Sequence, residues 1–134
     1  MKEDISFDPV EGVSVAIAKS QDNLGQDAWN VYLINTNPFP LDNVLITSKG
    51  YGRHEGEDVR TSVLRHMFEQ VAPKTFVQVE PIDPGIFHIY NEYWVSYYIG
   101  RQIYDKKFIF VPESIVPENL IDISMLNMKG VLHN

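Results

Sequence analysis

The residues best suited to chemistry lie in the segment Gly50-Tyr51-Gly52-Arg53-His54-Glu55-Gly56-Glu57-Asp58, where one imidazole and three carboxylates fall within five residues. Several oxygens together hold hard divalent cations, and an imidazole widens the choice to transition metals. The spacing matches no established ligand pattern, and an acidic glycine-rich stretch reads by default as a solvated, mobile turn. Gly50 and Gly52 resemble a phosphate turn only superficially, because no Gly-Lys-Ser/Thr follows and no helix start aims its amides at an anion. The other histidines, His66, His88 and His133, are scattered and lack the His-x-x-x-His spacing of a helical zinc site. Ser62 or Ser96 beside His66 or His88, oriented by Asp83 or Glu92, would be a hydrolytic set, but no Gly-x-Ser-x-Gly elbow supports a nucleophile. The absence of cysteine removes thiolate metal sites, a thiol nucleophile and disulfides. The expectation is therefore no catalytic residue, no cofactor and no bound metal, with a hydrolytic enzyme ranked third among the functions.

Aromatic residues are the stronger signal. Trp29, Tyr32, Tyr51, Tyr90, Tyr93, Trp94, Tyr97, Tyr98 and Tyr104 exceed what one sandwich interior easily takes. Strand alternation sets Tyr93, Val95, Tyr97 and Ile99 on one face and Trp94, Ser96 and Tyr98 on the other. Exposed Trp and Tyr on a sheet stack on sugars or anchor protein interfaces. Tyr93, Trp94, Tyr97, Tyr98, Tyr104 and Tyr51 are accordingly the candidate ligand or partner face. The alternative is that both faces are covered, one by a second sheet and the other by the C-terminal segment. Asp105-Lys106-Lys107 adds charge to the following strand, as a bulge, a protected edge or a contact for an acidic ligand.

The elements that would position these residues follow from alternation and turn signals. Asn91 to Pro112 reads as a central antiparallel hairpin turning at Gly100, where a positive φ is tolerated. Val13 to Ala18, Trp29 to Thr36, Leu41 to Ser48 and Thr75 to Glu80 alternate as strands. Thr61 to Val71 fits a strand and, almost as well, a helix. Residues 1 to 11 form a polar lead-in, Lys49 to Arg60 an exposed loop, and Ile86 to Tyr90 one helical turn. Trp29, Val31, Leu33, Val95, Tyr97 and Ile109 are the expected core. These elements make about seven strands in one domain over residues 1–134, with its core at 13–112, and the length suits a single core.

Residues 113–134 are too apolar for a solvated tail and should dock on a sheet face or edge of the same chain or a neighbour. Ile121, Ile123 and Met125 alternate as in a strand, whereas Ile121, Met125, Met128 and Leu132 follow a helical face with Gly130 as its stop. Ile121, Ile123, Met125 and Met128 are the candidate oligomer contacts.

The formal charge of -7 argues against nucleic acid as a partner. With no apolar run of membrane-spanning length and no signal-like start, the chain reads as cytoplasmic.

The passage Asn35-x-Asn37-x-x-x-Leu41-x-Asn43-Val44, with the spacing of strands and turns from Val13 to Pro112, resembles the small uncharacterised immunoglobulin-like β-sandwich proteins of bacteria. That resemblance implies an all-β, antiparallel two-sheet immunoglobulin-like sandwich and transfers no functional residue, since the Cys…Trp…Cys signature is missing. The leading expectation is a non-enzymatic protein-interaction or assembly module, a homo-oligomer or the binder of a protein partner. The alternative is a carbohydrate-binding domain using Trp94, Tyr98 or Tyr51.

Overall fold

Alternating apolar residues bury one face of a strand only if a second sheet covers it, and this requirement organises the chain. The structure, a computed structural model, describes residues 9–134, so most of the polar lead-in lies outside the described residues. The strands are β1 Val13–Gln21, β2 Asp27–Asn35, β3 Leu41–His54, β4 Glu57–Arg60, β5 Leu64–Val71, β6 Thr75–Pro81, β7 Tyr90–Ile99, β8 Gln102–Phe110, β9 Ile121–Ile123 and β10 Met128–His133. Sheet A has the order β6-β2-β1-β10-β9. Sheet B runs β4-β3-β7-β8, with β5 beside β4 on the same side of β3. Every pairing is antiparallel. No helix among the described residues is long and apolar enough to cross a membrane.

The sheets close over a core that includes Val15, Ile17, Val31 and Leu33 from sheet A and Val44, Ile46, Val95, Tyr97 and Phe108 from sheet B. Trp29 is half-buried at the margin, edge-on to Phe87 with ring centres 5.1 Å apart. Ile109 is also half-buried but lies opposite Glu92 on the outer side of sheet B, contrary to its expected place in the core. Asn35 is fully buried and ties the sheets together: its amide nitrogen donates to the carbonyls of Phe39, Val71 and Ala72, and its oxygen accepts from the Asn37 amide.

The strand count is ten among the described residues rather than seven. Lys49 to Arg60 is a hairpin, not an exposed loop: β3 continues to His54, turns through Glu55 and Gly56 at φ 52 and 81, and returns as β4. Its glycines mark close packing. A Cβ on Gly50 would stand 2.8 Å from Thr61 and 3.1 Å from Ile89, and one on Gly52 3.1 Å from Ile89. Thr61 to Val71 is extended from Leu64 onwards, and the helical turn falls earlier than expected, at Pro84–Ile86, where Asp83 caps the Gly85 amide at 2.8 Å. The β7–β8 turn falls at Gly100-Arg101, with Gly100 at φ 60.

The C-terminal segment docks on its own chain by hydrogen bonding. β10 pairs with β1 over five residue pairs, from Val15–His133 to Lys19–Lys129, and Gly130 lies inside that strand instead of ending a helix. Residues 113–134 therefore extend sheet A, and among the described residues nothing covers the outer face of sheet B.

Candidate functional site

The pairing register places each aromatic residue. In sheet B, Arg65, Thr47, Trp94 and Lys107 form one cross-strand row, and Met67, Leu45, Ser96 and Asp105 form the next. Tyr98 follows, between Asp42 and Ile103. Paired residues share a face, so these side chains lie together on the outside. Trp94 is 46 % exposed, Tyr98 38 % and Met67 75 %. The Lys107 ammonium lies 5.6 Å from the Trp94 ring centre and occupies one side of the indole.

At one end of this face Tyr51 stacks on Tyr90 with ring centres 5.5 Å apart and planes 11° from parallel. Its hydroxyl donates to Glu92 at 3.1 Å, and Lys49 approaches the other Glu92 oxygen at 3.6 Å. Burial, then the Glu92 carboxylate, raises the Tyr51 hydroxyl above the usual tyrosine pKa.

Tyr93, Tyr97 and Tyr104 do not join that face. Tyr97 is buried, stacked on half-buried Tyr104 at 5.3 Å, and its hydroxyl has no hydrogen-bond partner among the described residues. Tyr93 is buried edge-on against Phe110. Burial raises the pKa of both hydroxyls well above the ordinary value, with Glu80 adding to the effect on Tyr93 and Tyr104 to that on Tyr97.

The candidate oligomer contacts also meet their own chain. Ile123 is buried in a second apolar cluster with Ala16, Ala18, Tyr32, Ile34 and Leu126, and Met125 and Met128 pack against it. Ile121 is half exposed.

The structure joins polar groups that the sequence keeps apart. One oxygen of Glu80 on β6 accepts from the Ser48 hydroxyl on β3 at 2.8 Å and from His66 Nε2 on β5 at 2.7 Å. The Glu80 carboxylate thus links hydroxyl and imidazole, and His66 has no direct hydrogen bond to Ser48. Ser62, Ser96, Asp83 and Glu92 take no part in it. The His54 and His88 rings approach to 4.6 Å, yet among the described residues no group of three potential metal ligands gathers. Met67 and Leu45 are the residues of the outer face that sequence reasoning missed. Their signal was parity with Arg65 and Thr47, readable only once β5 and β3 are known to pair.

Comparison of the chain with family models, curated proteins and solved structures finds no match.

Proposed function

We propose that this protein is a non-enzymatic cytoplasmic interaction module of the immunoglobulin-like class, and that it self-associates through the outer face of sheet B. The carrying observation is that Trp94, Tyr98 and Met67 stand exposed on one uncovered sheet face, with Leu45 and Ile103 between them. Lys107 on the Trp94 ring favours a protein partner over a sugar, which stacks on a free aromatic face. Charge favours a second copy. Lys49, Arg65 and Lys107 on this face balance Asp42, Glu92 and Asp105, although the chain as a whole carries -7. Two copies related by a two-fold axis can then oppose unlike charges and avoid the repulsion their remaining surfaces would impose.

The size is adequate. Four strands at ~4.8 Å spacing and about eight residues long give a footprint of roughly 500 Å² in projection. The accessible surface over that footprint approaches the ~800 Å² each partner contributes to a standard interface.

The class assignment rests on strand order. With β4 set aside, β1-β2-β6 against β3-β7-β8 follows the grouping of first, second and fifth strands against third, sixth and seventh in an immunoglobulin-like sandwich, while the fourth, β5, pairs with β3 instead of β6.

Sedimentation equilibrium across a micromolar concentration series tests self-association. The wild type should show a monomer–dimer equilibrium. The W94A/M67A double variant should melt like the wild type and dissociate at least ~30-fold more readily, the loss of one hot-spot anchor. A wild type that stays monomeric throughout the series, or a folded double variant that dimerises equally well, refutes the proposal.

A further inference from the structure

A separate polar cavity opens where the two sheets meet, between β6 of sheet A and the place on β3 where β4 has ended and β5 has not begun. It is a half-open cleft of about 280 Å³, and its wall includes Ser48, Thr61, Glu80, Asp83, Asn91 and Tyr93. Two of these residues, Asn91 and Tyr93, are each only 2 % exposed. The Asn91 amide nitrogen is fully committed, donating to the carbonyls of Ile86 at 2.9 Å and Ile89 at 3.2 Å, which leaves its oxygen for the cavity. The Tyr93 hydroxyl takes no hydrogen bond among the described residues.

The remaining groups define the chemistry. One Glu80 oxygen is used by Ser48 and His66, and its second oxygen has no side-chain partner among the described residues. Asp83 commits one oxygen to the Gly85 amide. Lys49 also borders the cavity, but its ammonium turns to Glu92 and the Tyr51 ring on the outer side of sheet B. What is left is a set of acceptors with two carboxylates, the Ser62 and Tyr93 hydroxyls that can serve either way, and apolar wall from Leu64, Ile82 and Ile86. An anion would face the Glu80 and Asp83 carboxylates, whereas a neutral polyol would leave the free Glu80 oxygen without a cation.

We infer that this seam cavity binds a small organic cation, a primary alkylammonium held by Glu80, Asn91 and Tyr93 with its chain against the apolar wall. The volume lies just below the usual range of ligand pockets, ~300 Å³ and upward, which restricts the ligand to a few carbons.

Titration of the labelled protein with n-butylammonium chloride, followed by amide chemical shifts, tests the assignment against n-butanol, butyrate and glucose. Butylammonium should shift the Ser48, Thr61 and Asn91 amides saturably, and the other three compounds should not. Y93F should weaken binding about tenfold, the effect of one lost hydrogen bond in a buried site, and E80Q should abolish it, with the same spectra reporting that each variant is folded. No saturable shift in the wild type, stronger binding of glucose or butanol, or undiminished affinity in folded Y93F overturns the inference. Should E80Q fail to fold, Y93F decides alone.

Discussion

Replacing Gly130 by alanine tests whether the C-terminal strand lies where the structure puts it. A Cβ on Gly130 would lie 2.6 Å from the Ile17 carbonyl oxygen and 2.8 Å from both Cα and Cβ of Ala18. These atoms belong to the backbone of β1 or attach directly to it, and Ala18 is fully buried, so none can turn aside as a long side chain would. To restore carbon contacts of ~3.5 Å, β10 must lift from β1 by roughly 0.7 Å. Overpacking of this kind costs ~1–3 kcal/mol, and each ladder hydrogen bond stretched by the lift adds about 1 kcal/mol. The smaller backbone entropy of alanine in the unfolded chain returns ~0.5–1 kcal/mol. The net loss is about 3 kcal/mol, or a fall of roughly 10 °C in Tm for a domain of this length. Gly25 supplies the control, because a Cβ there meets nothing within 4 Å although φ is 78. G25A should cost only the ~1 kcal/mol of a left-handed alanine. Thermal and urea unfolding followed by circular dichroism measure both variants. If G130A melts no lower than G25A, β10 does not run against β1 and the account of sheet A is wrong.

Four further outcomes follow from buried groups and the C-terminal strands. Y97F removes a buried hydroxyl that has no partner among the described residues while keeping the ring stacked on Tyr104, and should stabilise by ~1–2 kcal/mol in urea unfolding. The same variant has a pH signature: Tyr93 and Tyr97 are raised above the unfolded value near 10, so their contribution is complete below pH ~10 and is lost as pH rises towards their folded values. Above pH 10, Y97F should therefore lose stability less steeply than the wild type, by up to ~1.4 kcal/mol per pH unit; parallel curves would contradict this. N35A strands the buried Val71 carbonyl and the part-buried carbonyls of Phe39 and Ala72 and should cost ~2 kcal/mol, whereas a loss under ~0.5 kcal/mol would show that those carbonyls find other partners. Truncation after Pro112 removes β9 and β10, bares the edge of β1 and uncovers Ala16 and Ala18, so the shortened chain should aggregate or lose its cooperative melt. A soluble, equally stable truncate would show the tail to be dispensable.

Strand state and facing were legible wherever side chains alternate and turn residues bound the run. Val13, Val15 and Ile17, the turn at Gly100, and the separation of Trp94 and Tyr98 from Tyr93 and Tyr97 all follow from a period of two, since a slip by one residue would invert the buried face. Three things depended on tertiary partners. The glycine-rich, charged run from Lys49 to Arg60 has the composition of a loop, and it is extended because β3 there pairs with β4 and β7 while Ile89 presses on Gly50 and Gly52. Residues 121–133 carry helical and extended spacing together, and the open edge of β1 decides between them by offering a backbone ladder that a helix cannot use. The contact of Ser48, His66 and Glu80 spans three strands in two sheets, and local spacing carries no trace of it. Alternation told which side chains share a face. Whether that face was covered depended on where the last strands went, and by joining β1 in sheet A they left Trp94 and Tyr98 facing solvent.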